Sequence, residues 1–429
     1  MPDDQTRTAT SPDLAILRAA TVPALVVVHH SDPALCGRRR LLPVGESVDI
    51  GRGGDAFGPG VLADPRLSRR HARLDWEGPV LRVTDLGSTN GVTRNGEPLR
   101  VGPLQPGDVL GVGGILLLYT AQPPGHTPAS DPLLPGESPA LAEALRQAKL
   151  VESRKTPVLL QGEAGVGKAQ LARAIHARSG RAGPLVTISC DQIPDSALHS
   201  ELSGHLPGAL PGTTQARQGL VRQAEGGTLF FASLESASPA LQSALARLLR
   251  VGTVRPVGAD RSVAVDVRVI AAQRTPGEAP LSHALGAALG RWVITVPPLR
   301  DRREDILVLA RAAAASLSGG PRRLQHALAL QLLLRPWPGN ASELSAAMER
   351  LVIAQPGDAP LAPQPWLASP GAPDPPAQRR RPPAAELSAM IRAHQGNMSA
   401  LASTLGVGRS TLYRWCRALN IDAESHRDR

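Results

Sequence analysis

The chain has 429 residues, 42% of them hydrophobic, which is too much for one compact core and enough for two or three folded modules. Its formal charge of +10 favours an anionic partner, but Lys149, Lys155 and Lys168 are the only lysines and an arginine-rich, G+C-rich coding bias explains the total, so the location of charge has to decide. Cys36, Cys190 and Cys416 lie too far apart for a disulfide framework or a metal site, the N-terminus is acidic where a secretory signal is basic, and no apolar run has the length of a membrane span; these features exclude a disulfide scaffold and a membrane protein and lead us to expect a cytoplasmic chain.

In chain order, residues 1–23 read as a flexible tail. From Ala24 to Tyr119 short apolar runs are broken by Gly, Pro and Asp, which predicts strands at Ala24–Val28, Val48–Ile50, Ala72–Trp76, Val80–Thr84 and Ile115–Tyr119 in an all-β domain over 24–121. Residues 122–136, rich in Pro, Gly and Ser, read as a linker. An amphipathic helix carrying Leu141, Leu145 and Leu150 opens a module over 137–354. There, strands Val158–Gln161, Thr228–Phe231 and Val267–Ala271 alternate with helices Ala169–Arg178 and Pro239–Arg250, the rhythm of a parallel α/β sheet, before a helical tail ending near Ala354. A Pro/Ala/Arg-rich linker over 355–383 precedes a last module over 384–429 that reads as helical from Ala384 to Asp422.

In the β domain the informative residues sit at strand ends: Gly51-Arg52, Ser68-Arg69-Arg70-His71 and Asp85-Leu86-Gly87-Ser88-Thr89-Asn90-Gly91. Arginine and hydroxyl donors brought together from separate loops suit a phosphate dianion, because hydrogen bonds to ionised acceptors are the strong ones. This set resembles the forkhead-associated (FHA) domain. The resemblance implies that Arg52 and Ser68 bind the phosphate of a phosphothreonine protein, that Arg69 and Thr89 assist, that Asn90 holds the peptide main chain, and that Gly51, His71 and Gly87 are structural.

In the middle module, strand Val158–Gln161 runs into Gly162-Glu163-Ala164-Gly165-Val166-Gly167-Lys168 and then a helix. Such glycines let backbone N–H groups wrap phosphates at a helix N-terminus, with Lys168 reaching the outer ones, so the loop is a candidate ATP site. With Gly226-Gly227-Thr228-Leu229-Phe230, Pro297-Pro298-Leu299-Arg300 and Trp337-Pro338-Gly339-Asn340 following in order, the module resembles the AAA+ domain of NtrC-like enhancer-binding proteins that act on sigma-54 RNA polymerase.

Several positions depart from that family. Ala232 and Ser233 stand where it has the Walker B Asp-Glu pair, Gln273-Arg274 where it has a sensor asparagine, Ser342 where it has a sensor arginine, and Leu285 at one of two interface arginine positions, with Arg291 at the other. The polymerase-contacting loop, GAFTGA in the family, reads Gly208-Ala209-Leu210-Pro211-Gly212-Thr213. Glu235 falls past the strand end and reads as a solvated loop residue. These changes lead to the expectation of ATP binding without hydrolysis, no magnesium, no metal site and no catalytic residue.

In the last segment Leu387, Met390 and Ile391 mark one helix, Met398, Leu401 and Leu405 a second, and Gly406-Val407-Gly408 the turn into a third. Arg409, Ser410, Thr411, Tyr413, Arg414 and Arg417 are left for DNA. The segment resembles the Fis-type helix-turn-helix, which implies binding to DNA as at least a dimer. The expected fold class is therefore multidomain: an FHA β-sandwich, an α/β P-loop AAA+ module with a helical lid, and a small all-α helix-turn-helix. The expected function is a phosphorylation-sensing transcription regulator; alternatives are an active sigma-54-dependent ATPase and a phosphopeptide-binding scaffold.

Overall fold

The computed structural model describes residues 21–124, 126, 128, 131–211, 213–274, 281–368, 387, 388, 390, 391 and 394, and it falls into two units, 1–368 and 369–429. Of the second, Leu387 and Ile391 lie buried in helical turns. The proposed DNA-contacting residues from Arg409 to Arg417 lie outside the described residues.

The first unit begins with a sandwich of two antiparallel sheets. Its strands are β1 (Val22–His29), β2 (Arg39–Leu41), β3 (Val48–Ile50), β4 (Ala72–Glu77), β5 (Val80–Asp85), β6 (Val92–Arg94), β7 (Glu97–Pro98), β8 (Val101–Leu104), β9 (Val109–Val112) and β10 (Ile115–Gln122). One sheet has the order β2-β1-β10-β9-β6-β7 and the other β3-β4-β5-β8. In β1 and β10 the apolar residues are continuous rather than alternating, because both faces are covered. Leu25, Val27, Ile115, Leu117 and Tyr119 point into the sandwich, while Val26, Val28, Leu116 and Leu118 point the other way.

The second layer is a five-stranded parallel sheet. Chain order runs α1 (Pro139–Val151), β11 (Val158–Gln161), α2 (Lys168–Ala177), β12 (Leu185–Ser189), α3 (Leu198–Ser203), β13 (Gly204–His205), β14 (Arg217–Gln218), α4 (Leu220–Gln223), β15 (Thr228–Ala232), α5 (Pro239–Val251), β16 (Thr253–Val254), β17 (Val263–Ala264), β18 (Arg268–Gln273), α6 (His283–Leu289) and β19 (Val293–Thr295). The parallel order is β12-β15-β18-β11-β19, which sets the P-loop strand β11 beside β18. Ser138 caps α1 through its side chain, with Pro139 in the first turn. At the other end of α1, the fully buried Arg268 donates to the carbonyls of Val151 and Glu152, both at 2.6 Å, satisfying acceptors a helix end leaves open. Burial pushes this guanidinium down to about 10.

A helical lid follows: a 3-10 segment at Leu299–Asp305, then α7 (Ile306–Ser318), α8 (His326–Leu334), α9 (Asn340–Ala354) and α10 (Pro365–Ala368). The lid shares one apolar core with the sandwich, in which Val26, Val28, Val109, Leu116 and Leu118 meet Leu299, Ile306, Leu307, Leu328 and Leu332. Polar contacts ring this core. Arg39 pairs with Glu304, both side chains nearly buried, and also donates to Gln122 Oε1 and to the Glu137 carbonyl at 3.0 Å each. Arg311 donates to the Val28 carbonyl at 3.1 Å, and the His29 and His326 rings meet edge to face at 5.5 Å.

Where composition suggested linkers, the structure shows packed chain. In 122–136, Gln122 ends β10, Asp131 is buried against Arg178, and Leu134 joins the core under α1 and α2. In 355–383, the part up to Ala368 lies on the lid: Gln355 makes two side-chain hydrogen bonds to Ala362, and Leu361 and Leu367 are buried. Single apolar residues among prolines anchor both stretches, a signal that composition averages away. Leu150 is also corrected: it is 49% exposed, because nine residues after Leu141 is half a helical repeat out of phase, and Ala144, Ala148 and Val151 complete the buried face.

Burial, with His326, Arg311, Arg66 and His30 nearby, pushes the His29 imidazole down to about 3, and its buried Nδ1 has no partner among the described residues. The folded state therefore holds this ring neutral, and its contribution to stability is present above the ordinary histidine range and lost as pH falls from 6.5 toward 3. We predict that between pH 6.5 and 5 the protein loses roughly 2 kcal/mol through this group. His29→Phe, which keeps a ring and removes the proton, should flatten the loss in denaturant unfolding followed across that range; an unchanged slope would refute the assignment.

Candidate functional site

Strand register assembles the first candidate site. Ile50 pairs with Ala72, and Ala72 with Asp85, so the loops that follow β3, precede β4 and follow β5 emerge side by side. The Arg52 amide donates to the Ser68 carbonyl at 2.9 Å, and the Thr89 amide donates to Ser68 Oγ at 3.1 Å, with the two hydroxyl oxygens 3.4 Å apart. Asn90 Nδ2 donates to the Arg66 carbonyl at 2.6 Å. The side chains of Arg52, Arg69, Thr89 and Asn90 belong to exposed residues, and Ser68 is half-buried at the centre.

Beneath them His71 is fully buried. Its Nδ1 accepts from the Ser68 amide at 3.1 Å, so Nε2 carries the proton and donates to the Gly91 carbonyl at 3.0 Å. His71 thus ties two of the three loops together and touches no solvent. Gly51 is required because a Cβ there would lie 2.0 Å from the Arg69 carbonyl oxygen, and Gly87 sits at φ +76°, where other residues are strained. The expected set is brought together as one exposed cluster of donors over a rigid floor.

The second candidate site is the P-loop. Gly162, Gly165 and Gly167 have φ of 152°, 74° and 106°. Lys168 Nζ donates to the carbonyls of Gly162 at 2.6 Å and Glu163 at 2.8 Å, folding the lysine back over its own loop. Burial pushes this ammonium below its ordinary range, with Arg274 acting in the same direction and Glu235 and Glu163 opposing. Glu163 is paired with Arg300 at 2.6 and 2.8 Å, which holds its carboxyl below the usual range.

The lid closes directly on this loop. The Ser342 amide donates to the Gly165 carbonyl at 3.2 Å, and a Cβ on Gly165 would lie 2.1 Å from the Gly339 oxygen. Asn340, buried at φ 55°, accepts from the Leu299 amide at 2.7 Å and donates to the Ala164 carbonyl at 3.0 Å and to Glu163 at 3.1 Å. Buried Arg302 donates to the Val166 carbonyl at 2.7 Å. Between loop and lid lies a cleft of about 540 Å³, lined by Leu134, Val166, Gly167, Arg302, Ala341 and Ser342 among others. The volume suits a small organic ligand. Leu134 falls in the stretch whose composition reads as linker, which hides this wall of the cleft in the sequence.

At the end of β15, Ala232 carries no polar group and Ser233 takes a left-handed conformation at φ 54°. Glu235 is not the solvated residue expected. Its side chain is only 14% exposed, accepts from the Arg274 amide at 3.1 Å, and lies 3.3 Å from Arg274 Nε. Both residues are visible in the sequence, but that Glu235 and Arg274 pair with each other follows only from β15 and β18 being neighbours. Leu285 is fully buried in α6 and so serves the core rather than an interface. In the described part of 208–213, Thr213 Oγ1 donates to the Leu210 carbonyl at 2.7 Å.

These features define a P-loop module of the AAA+ class with a helical lid, joined to an FHA-type sandwich. Family models agree: the FHA domain matches residues 48–113, the sigma-54 interaction domain 134–283, and the bacterial regulatory protein, Fis family, 384–414. The acetoin catabolism regulatory protein of Cupriavidus necator is 35% identical over 74% of this chain and 53% of its own length, and the transcriptional regulatory protein ZraR of Klebsiella oxytoca is 35% identical over 68% of this chain and 70% of its own. The chain belongs to the sigma-54-dependent transcriptional regulators, and it spans about half the length of the first of these relatives. A crystal structure of NtrX from Brucella abortus in complex with ATP is similar at 28% identity and TM-score 0.48, covering 67% of this chain and 69% of that one.

Asn340 is the polar hinge of the lid on the P-loop, so its loss should be felt widely. Asn340→Ala leaves the buried Leu299 amide unpaired and is expected to cost roughly 2–3 kcal/mol in chemical denaturation. A change below about 0.5 kcal/mol, the range of ordinary surface substitutions, would contradict this role.

Proposed function

We propose that this regulator reads phosphothreonine through its FHA loops, binds DNA through its Fis-type segment, and carries a nucleotide in its AAA+ core without hydrolysing it. Arg52 and Ser68 bind the phosphate, Arg69 and Thr89 assist, and Asn90 holds the ligand main chain. Gly162, Glu163, Gly165, Val166, Gly167 and Lys168 cradle ATP. Arg409, Ser410, Thr411, Tyr413, Arg414 and Arg417 face DNA, with two copies of the chain on a two-fold site in the cytoplasm. The observation that carries this reading is a contrast within one unit. The phosphate loops are complete and braced by His71, whereas the strand end that must place a metal and an attacking water presents Ala232 and Ser233.

A nucleotide held but not cleaved acts as an assembly ligand, stabilising the lid and whatever surface the lid supports. The degenerate 208–213 loop fits a role other than remodelling polymerase. One observation favours an active ATPase instead: Glu235 follows the missing pair by two residues and its charge reaches Lys168.

Purified full-length protein should bind a phosphothreonine peptide and not its unphosphorylated form, with Arg52→Ala weakening binding at least about tenfold in titration calorimetry, the scale of one charge-assisted hydrogen bond. The same preparation should show no ATP turnover with peptide and DNA present. Turnover that disappears in Glu235→Gln would establish the ATPase reading, and equal binding of both peptides would remove the phosphothreonine one.

A further inference from the structure

The family's magnesium ion is tested first against the residues present. A divalent cation on a nucleotide's outer phosphates needs oxygen ligands from the protein. The residue after Lys168 is Ala169, and the strand end supplies the methyl of Ala232 and the neutral hydroxyl of Ser233. Glu235 is committed to Arg274, and among the described residues no group of three or more His, Cys, Asp or Glu has the geometry to hold a metal. The donor set does not fit the ion.

A cation stands there nevertheless. In the sheet β18 lies between β15 and β11, and Gln273 is paired with Gln161, so Arg274 leaves the sheet beside Gly162, the first residue of the P-loop. Its backbone amide and Nε are turned to Glu235, and its two terminal amines make no hydrogen bond to a described residue, with the side chain 42% exposed. Across the loop mouth Lys168 rests on the Gly162 and Glu163 carbonyls, a position it can leave for a better acceptor, and the field of Arg274 reaches its ammonium. Two positive groups therefore flank the place where the outer phosphates of a bound nucleotide would lie.

We infer that Arg274, aimed by Glu235, takes the place of the divalent cation, so that this site binds a nucleoside triphosphate as the metal-free anion. The inference rests on the proposed nucleotide binding and specifies its form. A guanidinium presents two parallel donors to phosphate oxygens and cannot lose its proton, so it neutralises charge as a metal does. It cannot bring a coordinated water to the γ-phosphate, and a divalent ion added beside it meets a like charge while the neighbouring carboxylate of Glu235 is already engaged by Arg274. The substitution thus couples retained affinity to absent hydrolysis through one side chain.

The test is ATP binding by the full-length protein in titration calorimetry, once in EDTA and once in excess Mg²⁺. The expected result is at least equal affinity in EDTA, and a loss of about tenfold or more in EDTA for Arg274→Ala. Retained phosphothreonine-peptide binding by that variant would show it folded. Ala232→Asp combined with Arg274→Ala, which exchanges the arginine for a metal ligand, should make binding depend on Mg²⁺. Affinity at least tenfold higher in Mg²⁺ than in EDTA for the unaltered chain, or an unaffected Arg274→Ala, would overturn the inference while leaving nucleotide binding intact. Absence of ATP binding in both buffers would overturn both. If Arg274→Ala fails to fold, the comparison of buffers on the unaltered chain still decides.

Discussion

The lid is buried on two sides at once, and the rest of the first unit depends on that constraint. One face of helices α7 and α8 fills the outer surface of the sandwich through Val26, Val28, Leu116 and Leu118. The start of α9 sits on the P-loop through Gly339, Asn340 and Ser342. Each buried aliphatic side chain contributes about 1.5–3 kcal/mol relative to exposure, so the apolar contact outweighs the Arg39–Glu304 pair, whose attraction is largely offset by the cost of removing both charges from water. Burial indeed raises the Glu304 carboxyl above its ordinary range even beside Arg39. The ion pair fixes register, and the methyl groups supply the adhesion.

Because the lid is common to both contacts, the donor-bearing loops of the sandwich and the cleft at the P-loop belong to one body. Gly165 has no room for a side chain against Gly339, which makes the closed lid and the P-loop conformation mutually dependent. A ligand that tightens the cleft therefore tightens the support under β1 and β10. The parts of the AAA+ module that keep shape are present in detail, and positions where this chain departs from the family pattern hold groups with their own partners. Leu285 went into the core and Arg274 into an ion pair. Neither is an empty position.

Much of this was legible in the sequence, and the exceptions have physical causes. The long strands β1, β4, β5 and β10 and the helices α2 and α5 follow their apolar periods to within three residues. The short strands β2, β6, β8 and β9 do not, because runs of only three or four residues, in β8 and β9 interrupted by Gly or Pro as in Val101-Gly102-Pro103-Leu104, are held by the ladder rather than by their own preference. The loops that carry Arg52, Ser68, Thr89 and Asn90 were readable because each side chain there follows a turn that demands particular residues. The Glu235–Arg274 pair was not, since its members are 39 positions apart and meet only through strand order. The covered outer face of the sandwich was written in the unbroken run Ala24-Leu25-Val26-Val27-Val28, which alternation-based reading counts simply as strand.

That same outer face has a consequence for the making of the protein. The sandwich is complete in sequence by Gln122, but the helices that cover Val26, Val28, Leu116 and Leu118 end at Leu334. At the usual pace of synthesis, about 5–20 residues per second, an apolar sheet surface stays bare on the ribosome for roughly 10–45 seconds. During that interval the nascent chain offers a sticky plane to chaperones and to its neighbours on the same message, and the lid, arriving last, completes the protection of the domain made first.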